Sequence, residues 1–201
     1  MKLSITVPYH DTPKTALFLS RLLKSVSEQT FTDYEIVLTK NGGMARNQNT
    51  AIQQSKGDII KIIHMDDYLA HPYVLQEIVD TFDANPEKQW YISASTHTRD
   101  GQTTFNDHMP QWTEDIFTGN NRLGGMSTIS LRRDTDMLFE EPLTWMIDCD
   151  WYYRMYLKYG LPMLGEKPAV VVDVRDDRMT GTIPDVLKQE EIYYLMKKYG
   201  R

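Results

Sequence analysis

A single cysteine, Cys149, stands among the 201 residues. One thiol closes no internal disulfide, so nothing in the chain requires an oxidising compartment. It is also a poor nucleophile. It lies between Asp148 and Asp150, whose charges disfavour a thiolate, and no histidine neighbours it in sequence. Packing is its expected role. No apolar run reaches the roughly 18 residues that a membrane-spanning helix needs. The stretch from Met1 to Pro8 has no long apolar segment after Lys2, so it reads as a strand rather than a leader. The expected location is cytoplasmic, with peripheral membrane contact left open. A basic excess is missing too. Lys and Arg total 22 against 28 Asp and Glu, a net charge of -6, which argues against a non-specific nucleic-acid binder. There is no internal repeat, low-complexity tract or clear linker, so the expectation is one domain.

What is present alternates strand with helix through the first half. Residues 3–7 alternate polar and apolar and end at Pro8, a natural strand stop. Phe18, Leu19, Leu22, Leu23 and Val26 recur at helical spacing and predict a helix over 15–28. Residues 34–38 read as a second strand, Asn41-Gly42-Gly43 as a turn, and 44–55 as a polar helix closed by Gly57. Residues 58–63 are a third strand. Pro72 then opens a helix to about Ala84. Strands joined by helices imply parallel βαβ units, with ligands bound beyond the carboxyl ends of the strands. Those ends are Pro8-Tyr9-His10, Thr39-Lys40-Asn41 and His64-Met65-Asp66-Asp67.

The second half is less regular. Strands are expected at 90–94, 126–131 and 169–174, helices at 147–158 and 185–198, and polar loops with a short helix over 97–124. The terminal helix has Asp185 near its start and Lys197-Lys198 near its end, as the helix dipole prefers.

Asp66-Asp67 is the first candidate for chemistry. Two adjacent carboxylates repel unless a cation or hydrogen-bond donors offset them. Mg²⁺ typically takes one or two carboxylates plus substrate phosphates. The plainer reading is a solvated turn, since Asp is common in loops.

The run Lys56-Gly57-Asp58-Ile59-Ile60-Lys61-Ile62-Ile63-His64-Met65-Asp66-Asp67, followed by Pro72, resembles the inverting family 2 glycosyltransferases of GT-A fold. Their pattern is a Gly-acidic strand ending in Asp-x-Asp-Asp, then a Pro that opens a helix. Three other stretches agree in order. Residues 4–10 are similar to the family's first strand, residues 41–47 to its Gly-x-x-x-Ala-Arg-Asn helix start, and Asp148-Cys149-Asp150-Trp151-Tyr152-Tyr153-Arg154 to its Glu-Asp-x-Asp…Arg helix. The resemblance covers residues 3–82 well and 124–180 loosely.

It implies a Rossmann-like α/β fold with a mostly parallel sheet flanked by helices and a small irregular acceptor-side subregion. Residues 1–95 would form the nucleotide-sugar half, 96–180 the acceptor-side half, and 183–199 a C-terminal helix. It implies transfer from a nucleoside-diphosphate sugar, a uridine diphosphate sugar by default, assisted by Mn²⁺ or Mg²⁺ acting as a Lewis acid on the diphosphate. The acceptor class is open among glycans, lipid-linked sugars, proteins and modified nucleic acids.

Residue by residue, the resemblance puts Pro8, Tyr9, His10, Asn41, Arg46, His64 and Asp66 at the donor, and Asp66, Asp67 and Asp177 at the metal. His64 stands where the family has its first aspartate, and serves either as a donor contact or as an ordinary strand-end residue. Asp177 stands where the family has a histidine, in a segment from Val174 to Thr180 similar to its Arg-x-His. Arg46 either binds phosphate or pairs with Asp66 or Asp67. Asp148 matches the general base; otherwise it is a helix N-terminal carboxylate favoured by the dipole. Asp148 and Asp150 point to different helix faces, so one is expected to enter the site while the other caps or pairs, with Arg154 for example, and which of them is the base is left open. Trp112 and Trp145 are candidate sugar platforms, and Tyr152, Tyr153, Tyr156 and Tyr159 are expected to pack.

The pattern breaks after the second strand. The family usually has Asp-Asp-Gly-Ser and another helix and strand there, whereas Leu38 runs almost directly into Asn41-Gly42-Gly43. A βα unit is missing, so Thr39, Lys40 and Asn41 are expected to supply any contact to the nucleobase. That gap supports a second reading, a non-catalytic module that keeps the fold for binding or scaffolding. A nucleotidyltransferase is disfavoured, because Pro8-Tyr9-His10-Asp11-Thr12-Pro13 is not its Gly-rich basic loop.

Overall fold

The computed structural model describes residues 1–175 and 181–200. In chain order the elements are β1 (Leu3–Pro8), α1 (Thr15–Ser27), β2 (Tyr34–Thr39), α2 (Met44–Gln54), β3 (Ile59–Ile62), β4 (Tyr68–Leu69) and α3 (Val74–Ala84). There follow β5 (Trp90–Thr98), β6 (Thr104–His108), β7 (Ile129–Arg132), α4 (Ile147–Tyr159), β8 (Met163–Asp173) and α5 (Asp185–Lys198). The sheet order is β2-β1-β3-β7-β5-β8-β4, with β6 beside β5.

The first three strands are parallel, with Leu3 opposite both Tyr34 and Ile59. Beyond them the sheet is mixed rather than mostly parallel. β7 is antiparallel to β3 and β5 antiparallel to β7, while β8 runs parallel to β5. Two reversals restore the direction, so β5 and β8 run the same way as β3. The carboxyl ends of β1, β3 and β8 therefore share one edge with the segment that leads into β7. That edge carries Pro8, Asp66, Asp173 and Ser127.

Both faces of the sheet are apolar and covered. Leu3, Ile5, Val7, Ile59 and Ile63 pack against α1 and α3 through Phe18, Leu22, Leu75, Ile78 and Phe82. Ile60, Ile62, Trp90, Ile129 and Leu131 pack against α2, α4 and α5 through Ile52, Trp151, Tyr152 and Leu195. Two strands were not apparent in the sequence. β4 has only two residues, too few for an alternation, and β6 reads Thr-Phe-Asn-Asp-His with no apolar pattern. Residues 126–128, expected as strand, form a 3₁₀ turn before β7.

The missing βα unit is real. β2 is an edge strand that enters α2 through Gly42, whose φ of +65° suits glycine. Gly57 does not end α2. A Cβ there would lie 2.6 Å from the Leu3 carbonyl carbon and the Ser4 nitrogen, so glycine allows the chain to pass close to β1.

Candidate active site

A cavity of about 710 Å³ opens at the shared strand edge. Pro8, His10 and Thr12 line it from β1 and the following turn, and Gly42, Gly43 and Met44 from the start of α2. The end of β3 supplies His64, Asp66 and Asp67. Trp145 and Asp148 line it from the bend before α4 and its first turn, and Asp173 and Arg175 from the end of β8 and just beyond it.

Asp66 and Asp67 differ in environment. The Asp66 backbone carbonyl accepts a hydrogen bond from Arg21, while its carboxylate accepts none from the described residues. Asp67 is buried, and its Oδ1 accepts the backbone N–H of Asp173 at 2.9 Å. Burial, together with the Asp66 and Asp173 charges and against a Ser127 hydrogen bond, pushes the Asp67 carboxyl up to about 8. The nearby cation is Lys61, fully buried in β3. Its Nζ donates to the Ser127 carbonyl at 2.6 Å, and burial pulls its pKa down to about 7 with Asp67 opposing. Ser127 Oγ in turn accepts the His64 backbone N–H at 2.9 Å. The His64 ring leaves Nε2 buried and unpartnered, and burial lowers its pKa. Burial thus favours the neutral form of the imidazole at the cavity wall.

Asp173 couples this loop to Arg175. Arg21 donates to Asp173 Oδ2 at 2.9 Å and Arg175 to Oδ1 at 2.6 Å. Arg175 also lies 4.2 Å over the Phe18 ring. One buried carboxylate thus holds two guanidinium groups beside the Asp66 loop.

Asp148 stands in the first turn of α4. Its Oδ1 accepts the Cys149 N–H at 2.8 Å, and its Oδ2 accepts from Asn121 Nδ2 at 3.0 Å. Burial raises its pKa to about 6 against those hydrogen bonds. Asp150 is not in the cavity wall, on a different helix face from Asp148. It is fully buried and bound by Arg154 at 2.7 Å, Lys198 at 2.7 Å and Tyr199 at 2.6 Å. Burial and the Asp148 charge hold the Cys149 thiol well above its usual range, which fits a packing residue.

Other expected site residues lie elsewhere. Tyr9 and Asn41 are not in the cavity wall. They are tied through Asn47, which donates to the Tyr9 carbonyl at 3.0 Å and accepts the Asn41 N–H at 3.0 Å. Arg46 pairs with Glu141, its Nε at 3.0 Å, and not with Asp66 or Asp67. Thr39 donates to the Asn47 carbonyl, Lys40 pairs with Asp11, and the Asn41 side chain donates to Thr50. All three residues expected at the nucleobase are therefore engaged internally. Asp177 lies outside the described residues. Trp112 packs on Tyr156, with ring centroids 4.5 Å apart, whereas Trp145 does line the cavity. Tyr152 and Tyr153 are buried in the core, with Tyr156 and Tyr159 packed against it. The sequence did not single out Asn121, Ser127 or Lys61. A lone lysine inside an apolar strand was the one visible signal among them.

No group of three or more metal-ligating side chains converges among the described residues. None of their helices is long and apolar enough to cross a membrane.

Residues 36–158 match the sequence profile described as glycosyl transferase family 2. No curated protein matches the chain by sequence. Among solved structures the chain is similar to S. aureus TarS 1-349 in complex with UDP-GlcNAc, with a TM-score of 0.73 and 18% identity over 98% of this chain and 65% of that one. It is also similar to the same protein in complex with UDP, with a TM-score of 0.70 and 18% identity over 98% and 64%. A longer TarS structure gives a TM-score of 0.70 at 18% identity, and there this chain spans 38% of the length. The chain is thus shorter than two thirds of even the 1-349 form. With the profile covering more than half of its residues on a matching α/β fold, the chain belongs to glycosyl transferase family 2.

Proposed function

We propose that the cavity binds a nucleoside-diphosphate sugar and that the chain transfers the sugar, with inversion, to an acceptor hydroxyl. The observation that carries this reading is that Asp66, after β3, and Asp148, in the first turn of α4, line one cavity. Asp66 offers a carboxylate that accepts no hydrogen bond from the described residues, and Asp148 a carboxylate with its pKa near 6. A general base works best when its pKa lies near the operating pH.

Asp148 takes the proton of the acceptor hydroxyl as that oxygen attacks the anomeric carbon. The bond from that carbon to the diphosphate breaks on the opposite face. Asn121 and the Cys149 N–H keep the carboxylate aimed while it is ionised.

The residues fit a divalent cation held largely by the substrate. Mg²⁺ or Mn²⁺ needs only one or two carboxylates when diphosphate oxygens complete the shell. Asp66 would hold the ion, which would neutralise charge developing on the leaving diphosphate. Asp67 sets the loop by accepting the Asp173 N–H. Arg175, His10 and His64 also line the cavity and would serve as donor contacts. UDP is the nucleotide to try first, since structurally similar TarS is seen with UDP and UDP-GlcNAc.

A thermal-shift screen of nucleotide sugars with and without Mn²⁺ tests the reading. A bound donor raises the melting temperature by mass action. The expected result is a metal-dependent rise with one nucleotide that Asp66→Ala abolishes. No rise with any donor, or one untouched by Asp66→Ala, contradicts it and favours a non-catalytic module.

A further inference from the structure

The C-terminal helix α5 is polar, and Glu191 and Leu195 are its buried residues. Leu195 packs in the core beside α4. Glu191 has a different task. It is 5% exposed, and its carboxylate accepts three backbone N–H groups from the bend before α4: Thr144 at 2.7 Å on Oε1, and Trp145 and Met146 at 2.8 Å each on Oε2.

A buried carboxylate is unfavourable unless donors compensate it, and an apolar residue would pack the same face without that penalty. Here the compensation is complete and local. The first N–H groups of a helix and the turn before it lack intrahelical partners. No side chain of α4's own N-terminal residue caps it. Glu191 supplies the missing acceptors from another helix, with a charge of the sign the helix start favours.

The residues it holds border the cavity. Thr144 and Trp145 line the wall, and Asp148 follows two residues after Met146. The far end of α5 grips α4 as well, through Lys198 and Tyr199 on Asp150.

We infer that Glu191 is a positioning residue for transfer: it fixes the Thr144–Met146 bend, and through it the approach of Asp148 and Trp145 to the acceptor. This inference rests on the transferase reading. It makes α5 a working part of the site.

Glu191→Gln tests it, since the amide keeps the shape but turns a donor toward the backbone N–H groups. Tyr199→Phe is the control, because it loosens α5 at its other end without touching the bend. Three quantities are measured for each: UDP affinity with Mn²⁺, release of sugar from UDP-GlcNAc, and peptide-resolved hydrogen exchange over residues 144–150. In Glu191→Gln, UDP affinity stays within about threefold, turnover falls on the order of 10²-fold, as misplacing a reacting group by an ångström does, and exchange speeds up. Tyr199→Phe lowers the melting temperature but keeps turnover. Unchanged turnover in Glu191→Gln overturns the proposal. So does a loss of turnover that tracks melting temperature and UDP affinity equally in both variants, because that is a folding effect. If the wild type itself releases no sugar and binds no UDP, the transferase reading fails. Exchange then still decides whether Glu191 holds the bend, and unaltered protection in Glu191→Gln overturns that too.

Discussion

Asn121 donates a hydrogen bond from Nδ2 to Asp148 Oδ2 at 3.0 Å, and its Oδ1 accepts the Leu123 N–H at 2.9 Å. The loop between β6 and β7 thus orients the carboxylate that α4 presents. A hydrogen bond to the ionised form lowers a carboxyl's pKa, here against the larger effect of burial. On the proposed mechanism the base works ionised, so kcat/KM should rise with pH through about 6 and then level. Asn121→Ala removes a donor to the charged form. The pH–rate profile of the variant should have its acid limb moved to higher pH.

Asp148→Asn should separate stability from activity. The Asp148 pKa in the folded chain, about 6, lies above the ordinary carboxyl value of about 3.8. Such a group contributes most stability below its unfolded pKa and loses it as pH rises through the folded one. At pH 7.5 the ionised carboxylate therefore costs the fold up to about 3 kcal/mol. The asparagine variant should be more stable than wild type at pH 7.5 and no more stable at pH 4, in urea melts at both values.

Asp150→Ala should do the reverse. Removing one partner of a buried charge network costs about 3–5 kcal/mol. Arg154, Lys198 and Tyr199 would all lose their shared acceptor. Denaturant unfolding should register a loss of that size, with α5 the first segment to exchange.

Lys61→Met keeps the aliphatic stem and deletes the ammonium. The Ser127 carbonyl loses its 2.6 Å donor, at a cost of about 1–3 kcal/mol. Urea unfolding at neutral pH measures it.

The parallel half of this molecule was readable because its signals are local. Strands 3–7 and 34–38 alternate or run apolar, and the helices between them show their buried stripe. The mixed half was not, since strand direction in β7 and β8 depends on which neighbour each meets. The site divides in the same way. Asp66, Asp67 and Asp148 were visible as carboxylates after a strand or on a helix. Both line the cavity, but that Asp67 also accepts the Asp173 N–H is set by β8, more than a hundred residues away. That Asp148 and Asp150 take different helix faces followed from helical spacing, while the base role of Asp148 came from the family resemblance; Lys198 and Tyr199 as Asp150's partners followed from neither. Arg46 illustrates the limit: its motif suggests a phosphate contact, and Glu141 takes it in the folded chain.

The most direct test is to follow UDP-GlcNAc with Mn²⁺ by ¹H NMR in wild type and Asp148→Asn, reading the anomer of the newly released or transferred sugar before it equilibrates. The account predicts that wild type converts the α-linked donor into β product, and that Asp148→Asn binds the donor with similar affinity while turning it over about 10²–10⁴-fold more slowly. An α product, or unchanged turnover in Asp148→Asn, would contradict it.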